Sequence, residues 1–284
     1  MIGHETVRQQ ACGVLVQGFS KNSAEFIDYL VGDRLVTPPE LAADFSEKLA
    51  LLPHCYLVAD HEQAISVTEA NRNDYGLPDE RFVFCSLNNS YKIEPEIFSV
   101  WMRILAQVSE SVLWLTSGGA TMEANLRREA QARGVDPSRL VFVRGVLPKP
   151  EHLARVRLAD LFLDTHLYNA HTTACDALWA GLSVLTCPGE TFAARVAASL
   201  LTAVGLTDLI ADNLDRYEQM AVHLARHPAE LRGLRDKLAA QRTTWPLFDT
   251  PRFVQNLKRA FVGMWQNNAA GRPPCVFEVI ETGT

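Results

Sequence analysis

Between residues 81 and 185 the chain alternates short unbroken apolar runs with longer segments whose apolar positions recur every three or four residues. The first pattern predicts strands and the second amphipathic helices. The predicted strands are Phe82 to Leu87, Ser111 to Leu115, Leu140 to Val143, Ala159 to Leu163 and Leu182 to Leu185. The predicted helices between them are Pro95 to Val108, Thr121 to Arg133, Lys149 to Leu158 and Thr173 to Ala180. Ile97, Trp101, Ile104 and Leu105 form the apolar stripe of the first helix, and Gly134 ends the second. Unbroken apolar strands alternating with helices through short connections predict an α/β fold, a parallel sheet with helices on both faces.

The flanks are less regular. Gly13 to Gln17 reads as a strand, Ala24 to Leu30 as a short helix, Asp33 to Val36 as an extended piece, Glu47 to Leu52 as a helical turn closed by Pro53, and Cys55 to Ala59 as a further apolar run. Helices are predicted over Thr191 to Val204, Asn213 to Arg226, Pro228 to Arg242 and Pro251 to Trp265, and the tail reads as a surface strand at most. This divides the chain into an incomplete front part, 1–80, a main domain, 81–270, and a tail, 271–284.

Chemistry gathers where predicted strands run into loops. The loop after Ala159 to Leu163 ends in His171-Thr172-Thr173, and small hydroxyl residues at a helix start can cradle an anion. Thr173 and Asp176 also have the spacing of a capping box, so a capped helix is the simpler reading of these residues alone. The His171 imidazole can donate to a phosphate or fold back on the backbone. Asn88-Asn89-Ser90-Tyr91-Lys92 follows another strand end, where a lysine can neutralise a departing diphosphate or simply face solvent. Lys149, His152 and Arg155 share one helix face and read as a pocket wall or an ordinary basic face.

Composition narrows the setting. With 48% hydrophobic and 21% charged residues the chain is too apolar for a disordered protein. A formal net charge of −6 argues against general nucleic-acid binding, which needs a basic surface. The six cysteines contain no Cys-x-x-Cys pair and read as free thiols in a reducing compartment, with no metal site. No apolar run is long enough to span a membrane and no signal segment opens the chain, so a cytoplasmic protein without membrane contact is expected.

Trp179-Ala180-Gly181, Cys187-Pro188-Gly189-Glu190-Thr191 and Arg195-Val196-Ala197-Ala198-Ser199, preceded by His171-Thr172-Thr173, resemble the catalytic carboxyl-terminal half of the protein O-linked N-acetylglucosamine transferase family. The likeness runs on through Tyr91-Lys92-Ile93, Val112 to Leu115, Pro148-Lys149, Leu163-Asp164-Thr165 and Pro246-Leu247-Phe248. More weakly it includes Asp28-Tyr29, Ser46 to Ala50, Leu52-Pro53-His54 and Asp60-His61. It implies the two-lobed GT-B glycosyltransferase fold, with a Rossmann-like nucleotide-sugar lobe and a small remnant of the amino-terminal lobe. The implied reaction is inverting, metal-independent and cofactor-free transfer of N-acetylglucosamine from UDP-GlcNAc to protein Ser/Thr hydroxyls.

By that resemblance Lys92 contacts the diphosphate as the catalytic residue, and Thr172 and Thr173 bind the phosphates with His171 beside them. Lys149 and Asp176 hold the ribose, His152 and Arg155 flank the uracil, and Asn89 stands where the family usually has Gln. The family's Gly-Tyr-Pro-Gly-Thr loop is here Gln17-Gly18-Phe19-Ser20-Lys21, and its amino-terminal-lobe histidines and helical-repeat array have no counterpart. A missing amino-terminal lobe or repeat region is therefore an implied partner. The alternatives are a partner-dependent or inactive UDP-sugar-binding module and a protein O-fucosyltransferase using GDP-fucose.

Overall fold

The computed structural model describes residues 27–68, 70–241 and 244–281. The expected strand Gly13 to Gln17 and the loop Gln17 to Lys21 lie outside these residues, as does the first half of the expected helix Ala24 to Leu30. Tyr29 and Leu30 do not continue a helix; they open strand β1 (Tyr29–Asp33). The expected helical turn at Glu47 to Leu52 is instead strand β2 (Lys48–Leu52), paired in parallel with β1. A strand covered on both faces and a short buried helix share the same unbroken apolar signature. Here Leu49, Ala50, Leu51 and Leu52 are at most 2% exposed, so the signature belongs to a central strand.

Of the expected extended piece Asp33 to Val36, Asp33 ends β1 and Arg34 to Val36 form a turn. The buried Asp33 carboxylate accepts the Leu35 and Val36 amides at 2.9 and 3.0 Å through one oxygen. Through the other it accepts the Tyr56 amide and the Ser199 hydroxyl, tying the small sheet to the main domain.

The main domain follows the predicted alternation: β3 (Phe82–Ser86), α1 (Pro95–Gln107), β4 (Ser111–Thr116), α2 (Ala120–Ala132), β5 (Leu140–Val143), α3 (Lys149–Val156), β6 (Leu161–Leu163), α4 (Thr172–Ala180) and β7 (Val184–Leu185). Its five strands are parallel in the order β5-β4-β3-β6-β7. The chain moves outward from β3 to β5, then returns to β6 on the other side of β3. Right-handed crossovers therefore place α1 and α2 on one face and α3 and α4 on the other. Trp101, Ile104, Leu113, Trp114, Phe84 and Phe162, none more than 1% exposed, fill the core around this sheet.

Beyond β7 the expected helix Thr191 to Val204 is broken into a 3-10 turn, Phe192–Ala194, and α5 (Val196–Ala203). The Thr191 side chain caps the turn by accepting the Ala194 amide. α6 (Leu214–Arg226), α7 (Pro228–Gln241) and α8 (Thr250–Ala269) follow. The tail is more than a surface piece: β8 (Phe277–Glu278) pairs in parallel with β2, and Ala260 of α8 packs with Val31, Ala50, Leu52 and Val279. Both ends of the described chain thus build the small sheet, order β1-β2-β8.

Candidate functional site

The strand order reverses direction between β3 and β6, and open α/β sheets bind ligands at such a switch point, outside the carboxyl ends of the strands. The loops after β3 and β6, which carry Lys92 and His171-Thr172-Thr173, therefore face each other across the crevice. Lys92 crosses it. Its ammonium donates to the Asn169 carbonyl at 2.7 Å and lies 3.8 Å from the centre of the Tyr168 ring. Burial lowers the Lys92 pKa to about 8, partly offset by the charge of Asp164.

Thr172 and Thr173 open α4, but not as a capping box. His171 is the N-cap, and no side chain caps the helix among the described residues. The capping alternative fails because the helix starts before Thr173. The Ala174 and Cys175 amides both donate to the His171 carbonyl, while Thr172 and Thr173 sit at the first two helical positions, whose amides have no carbonyl within the helix to bond. Lys92 lies close to this helix start, bonded to the Asn169 carbonyl and near enough to His171 to act on its charge. The buried His171 ring turns back, Nε2–H donating to the Ala193 carbonyl at 3.3 Å, and stands 5.1 Å from the Tyr168 ring. Burial and the nearby Lys92 lower its pKa to about 4, so it is neutral at pH 7.

The second cluster forms where α3 packs on α4. The Lys149 ammonium pairs with Asp176, whose other oxygen lies 3.7 Å from His152 Nε2. Arg155 donates through Nη2 to His152 Nδ1 at 2.9 Å, so the neutral ring carries its proton on Nε2, towards Asp176. Burial and the neighbouring Arg155 hold His152 below the usual histidine range. Arg155 is only 5% exposed, and its Nε and Nη1 find no acceptor among the described residues. Such buried donors are rare unless a ligand completes them. Asn89 is exposed just before the 3-10 turn carrying Lys92.

The predicted site residues therefore fall on the carboxyl edge of the sheet or on α3 and α4, with Lys149 at the start of α3, Arg155 in its last turn and Asp176 one turn into α4. Sequence reading gave no role to Tyr168, Asn169 and Asp164, which hold Lys92 and its loop. The available signal was a polar loop opened by an aspartate directly after a wholly apolar strand. A separate cleft of about 750 Å³, lined by Gln63, Ile65, Ala154, Arg157, Leu158 and Trp179, lies at the far ends of α3 and α4 and contains none of the predicted residues. The predicted polar groups gather instead at the switch point and on the facing helices α3 and α4.

Cys55, Cys85, Cys175 and Cys187 are buried free thiols, as expected. His223, His227 and Glu230 lie within 4.8 Å of one another on the surface where α6 meets α7, with His227 Nδ1 donating to the His223 carbonyl. Among the described residues no helix is long and apolar enough to cross a membrane.

Comparison with known proteins bears on the family and the fold. The chain is 45% identical to a probable UDP-N-acetylglucosamine–peptide N-acetylglucosaminyltransferase, SEC, of Arabidopsis thaliana, over 91% of this chain and 27% of that protein. It is 39% identical to the UDP-N-acetylglucosamine–peptide N-acetylglucosaminyltransferase of Caenorhabditis elegans, over 73% of this chain and 18% of that one. The chain thus spans about a quarter or less of the length of these relatives. Among solved structures, a mutant of the Thermobaculum terrenum O-GlcNAc transferase superposes with a TM-score of 0.77 at 28% identity, over 87% of this chain and 46% of that chain. HepE of Anabaena, solved with UDP and glucose, matches at 12% identity and a TM-score of 0.60, over 84% of this chain and 64% of that one, a likeness of fold alone. The architecture is that of a GT-B nucleotide-sugar lobe with part of its companion. The model of glycosyl transferase family 41 matches residues 7–70 and 62–257, and the chain belongs to that family.

Proposed function

We propose that this lobe binds the UDP portion of UDP-N-acetylglucosamine and serves the inverting, metal-independent transfer of the sugar to serine and threonine hydroxyls of proteins. The observation that carries the reading is Lys92, held across the switch point beside the uncapped start of α4. The names of the Arabidopsis and Caenorhabditis relatives supply the donor and the acceptor class.

In this reading the Thr172 and Thr173 amides and hydroxyls take the phosphates, with His171 and Asn89 at the rim. Lys149 and Asp176 meet the ribose hydroxyls. Arg155 offers its free donors to the uracil carbonyls, and the His152 ring lies against the base. As the acceptor hydroxyl attacks the anomeric carbon and gives up its proton to solvent, the bond to the β-phosphate oxygen breaks and that oxygen takes the electron pair. Lys92 and the α4 amides meet the growing charge, stabilisation that is strongest in the transition state. Buried free thiols support a reducing, cytoplasmic setting.

Calorimetry with UDP and GDP tests the reading. UDP is expected to bind more tightly than GDP, and Arg155→Met is expected to weaken UDP roughly tenfold or more by removing buried donors. Binding of neither nucleotide sinks the proposal. Because the chain covers so little of its relatives' length, a second reading is a donor-binding module that needs further sequence for transfer. UDP binding without transfer by the intact chain, with transfer restored by the remaining lobe, would select it.

A further inference from the structure

Asp164 follows the last residue of β6 and is 1% exposed. Its Oδ1 accepts the Thr165 and Ala170 amides at 2.9 and 2.6 Å and faces the Asn88 side-chain amide at 3.4 Å. Its Oδ2 accepts the Thr186 hydroxyl at 2.8 Å, and its carbonyl accepts the Tyr217 hydroxyl at 2.9 Å. One carboxylate thus draws together the ends of three neighbouring strands, β3 through Asn88, β6 through its own loop and β7 through Thr186.

The bond from the Ala170 amide bears on the site. Ala170 precedes His171, the N-cap of α4, and Asn169, whose carbonyl holds Lys92, precedes Ala170. The Asn169 side chain is locked in turn, donating to the Thr165 carbonyl at 2.6 Å. Fixing Ala170 therefore fixes both the helix start and the group that aims Lys92.

A neutral side chain could accept the same hydrogen bonds at less cost than a buried charge. The titratable groups facing Asp164 are Lys92 from the loop after β3, Cys187 from the loop after β7 and Tyr217 from α6. Burial raises the pKa of both Cys187 and Tyr217 and keeps them protonated, which leaves Lys92 as the cation of the three.

We propose that Asp164 is a positioning residue: it locks the loop between β6 and α4 and supplies the counter-charge that keeps Lys92 cationic at the switch point. It acts through Lys92 and the α4 start, not on the sugar donor, and this rests on the reading of Lys92 as the group that meets the diphosphate. Burial pushes the Asp164 carboxyl up to about 7, its hydrogen bonds and Lys92 pulling it back, so the two groups titrate in adjoining ranges. Interacting groups of this kind sense each other's proton.

The test is a lysine-selective NMR titration of the intact chain, which has only six lysines, with Lys92 assigned through Lys92→Arg. The Lys92 signal is expected to titrate near 8 and to show a second inflection where Asp164 loses its proton. Asp164→Asn should remove that inflection and move the Lys92 midpoint down by roughly one pH unit. Thr186→Val, which deletes one hydrogen bond but keeps the charge, should leave the midpoint in place. An unmoved midpoint in Asp164→Asn overturns the proposal; if that variant does not fold, a single-step Lys92 titration in the native protein does so instead. UDP calorimetry on the native chain runs in parallel: absent UDP binding refutes the functional reading, whereas the titration judges the Asp164–Lys92 coupling by itself.

Discussion

Replacing Lys92 by methionine should make the fold more stable while destroying its chemistry. The ammonium is half-buried, and its pKa is lowered from the ordinary 10.5 to about 8, so in the native state at pH 7 the charged form is held against its preference. At about 1.36 kcal/mol per pH unit the gap sets an upper bound of roughly 3.4 kcal/mol. Solvent screening at a partly open site, and loss of the bond to the Asn169 carbonyl, reduce the expected gain to about 1–2 kcal/mol. In a chain of this size that corresponds to a rise of roughly 2–6 °C in melting temperature. The sign has a pH signature. The cost of the charged lysine is fully present below its folded value, about 8, and fades as the pH rises to 10.5, because the native protein then sheds the proton before the unfolded chain does. The advantage of Lys92→Met should therefore be largest at pH 7 and vanish above 10.5, while turnover falls by about 10²–10³. Paired melts of the two proteins at neutral and alkaline pH, with transfer assayed at pH 7, measure both effects. A variant no more stable at pH 7, or one whose gain persists unchanged at high pH, would refute the argument that charge burial sets this balance.

Two further outcomes concern the frame around the site. Glu281 accepts two bonds from Arg252, at 2.6 and 2.9 Å, and others from Asn256 and His54, which hold its carboxyl far below the ordinary glutamate value. Glu281→Gln should cost about 1–3 kcal/mol in denaturant melts at pH 7, and the deficit should shrink once the pH falls below 4.5, where the native chain begins to lose this advantage. A deficit independent of pH would point to packing instead. Gly205 has a φ of +65°, and a Cβ there would meet the Trp245 ring, so Gly205→Ala should lose roughly 2–4 kcal/mol from backbone strain and overpacking together. An unfolding free energy within 1 kcal/mol of the native value would contradict this, about the least that overpacking alone costs.

The main sheet was legible because each of its strands is buried on both faces and each crossover is a helix with a single apolar stripe, so the pattern changes sharply at every boundary. The small sheet was not. Its strands come from opposite ends of the described chain, and β2 carries an apolar run that local pattern cannot distinguish from a buried helical turn. What decides between them is pairing with Phe277 and Glu278, a contact no local window contains. The same limit hides the crevice: strand order sets β3 against β6, which no stretch of neighbouring residues discloses.

Side chains that would touch a ligand were easier to find than those that hold them. Lys92, Thr172 and Thr173 stand at a strand end and a helix start, where residue type alone suggests chemistry, and Arg155 shares a helix face with Lys149 and His152. Asn169 acts through its carbonyl, Tyr168 through its ring face and Asp164 through charge, none of which residue type at a loop position discloses. In the proposed function their arrangement is what lets a chain of net charge −6 receive a diphosphate. Lys149 is already balanced by Asp176, whereas Lys92 and Arg155 have no carboxylate in direct contact among the described residues. An incoming dianion therefore meets Lys92, whose counter-charge Asp164 is not in direct contact with it, together with Arg155 and a helix terminus, and breaks no direct ion pair of theirs first. The attraction is local and short-ranged, so UDP binding should weaken with salt far less than a basic surface would require, and a steep salt dependence would place the phosphates elsewhere.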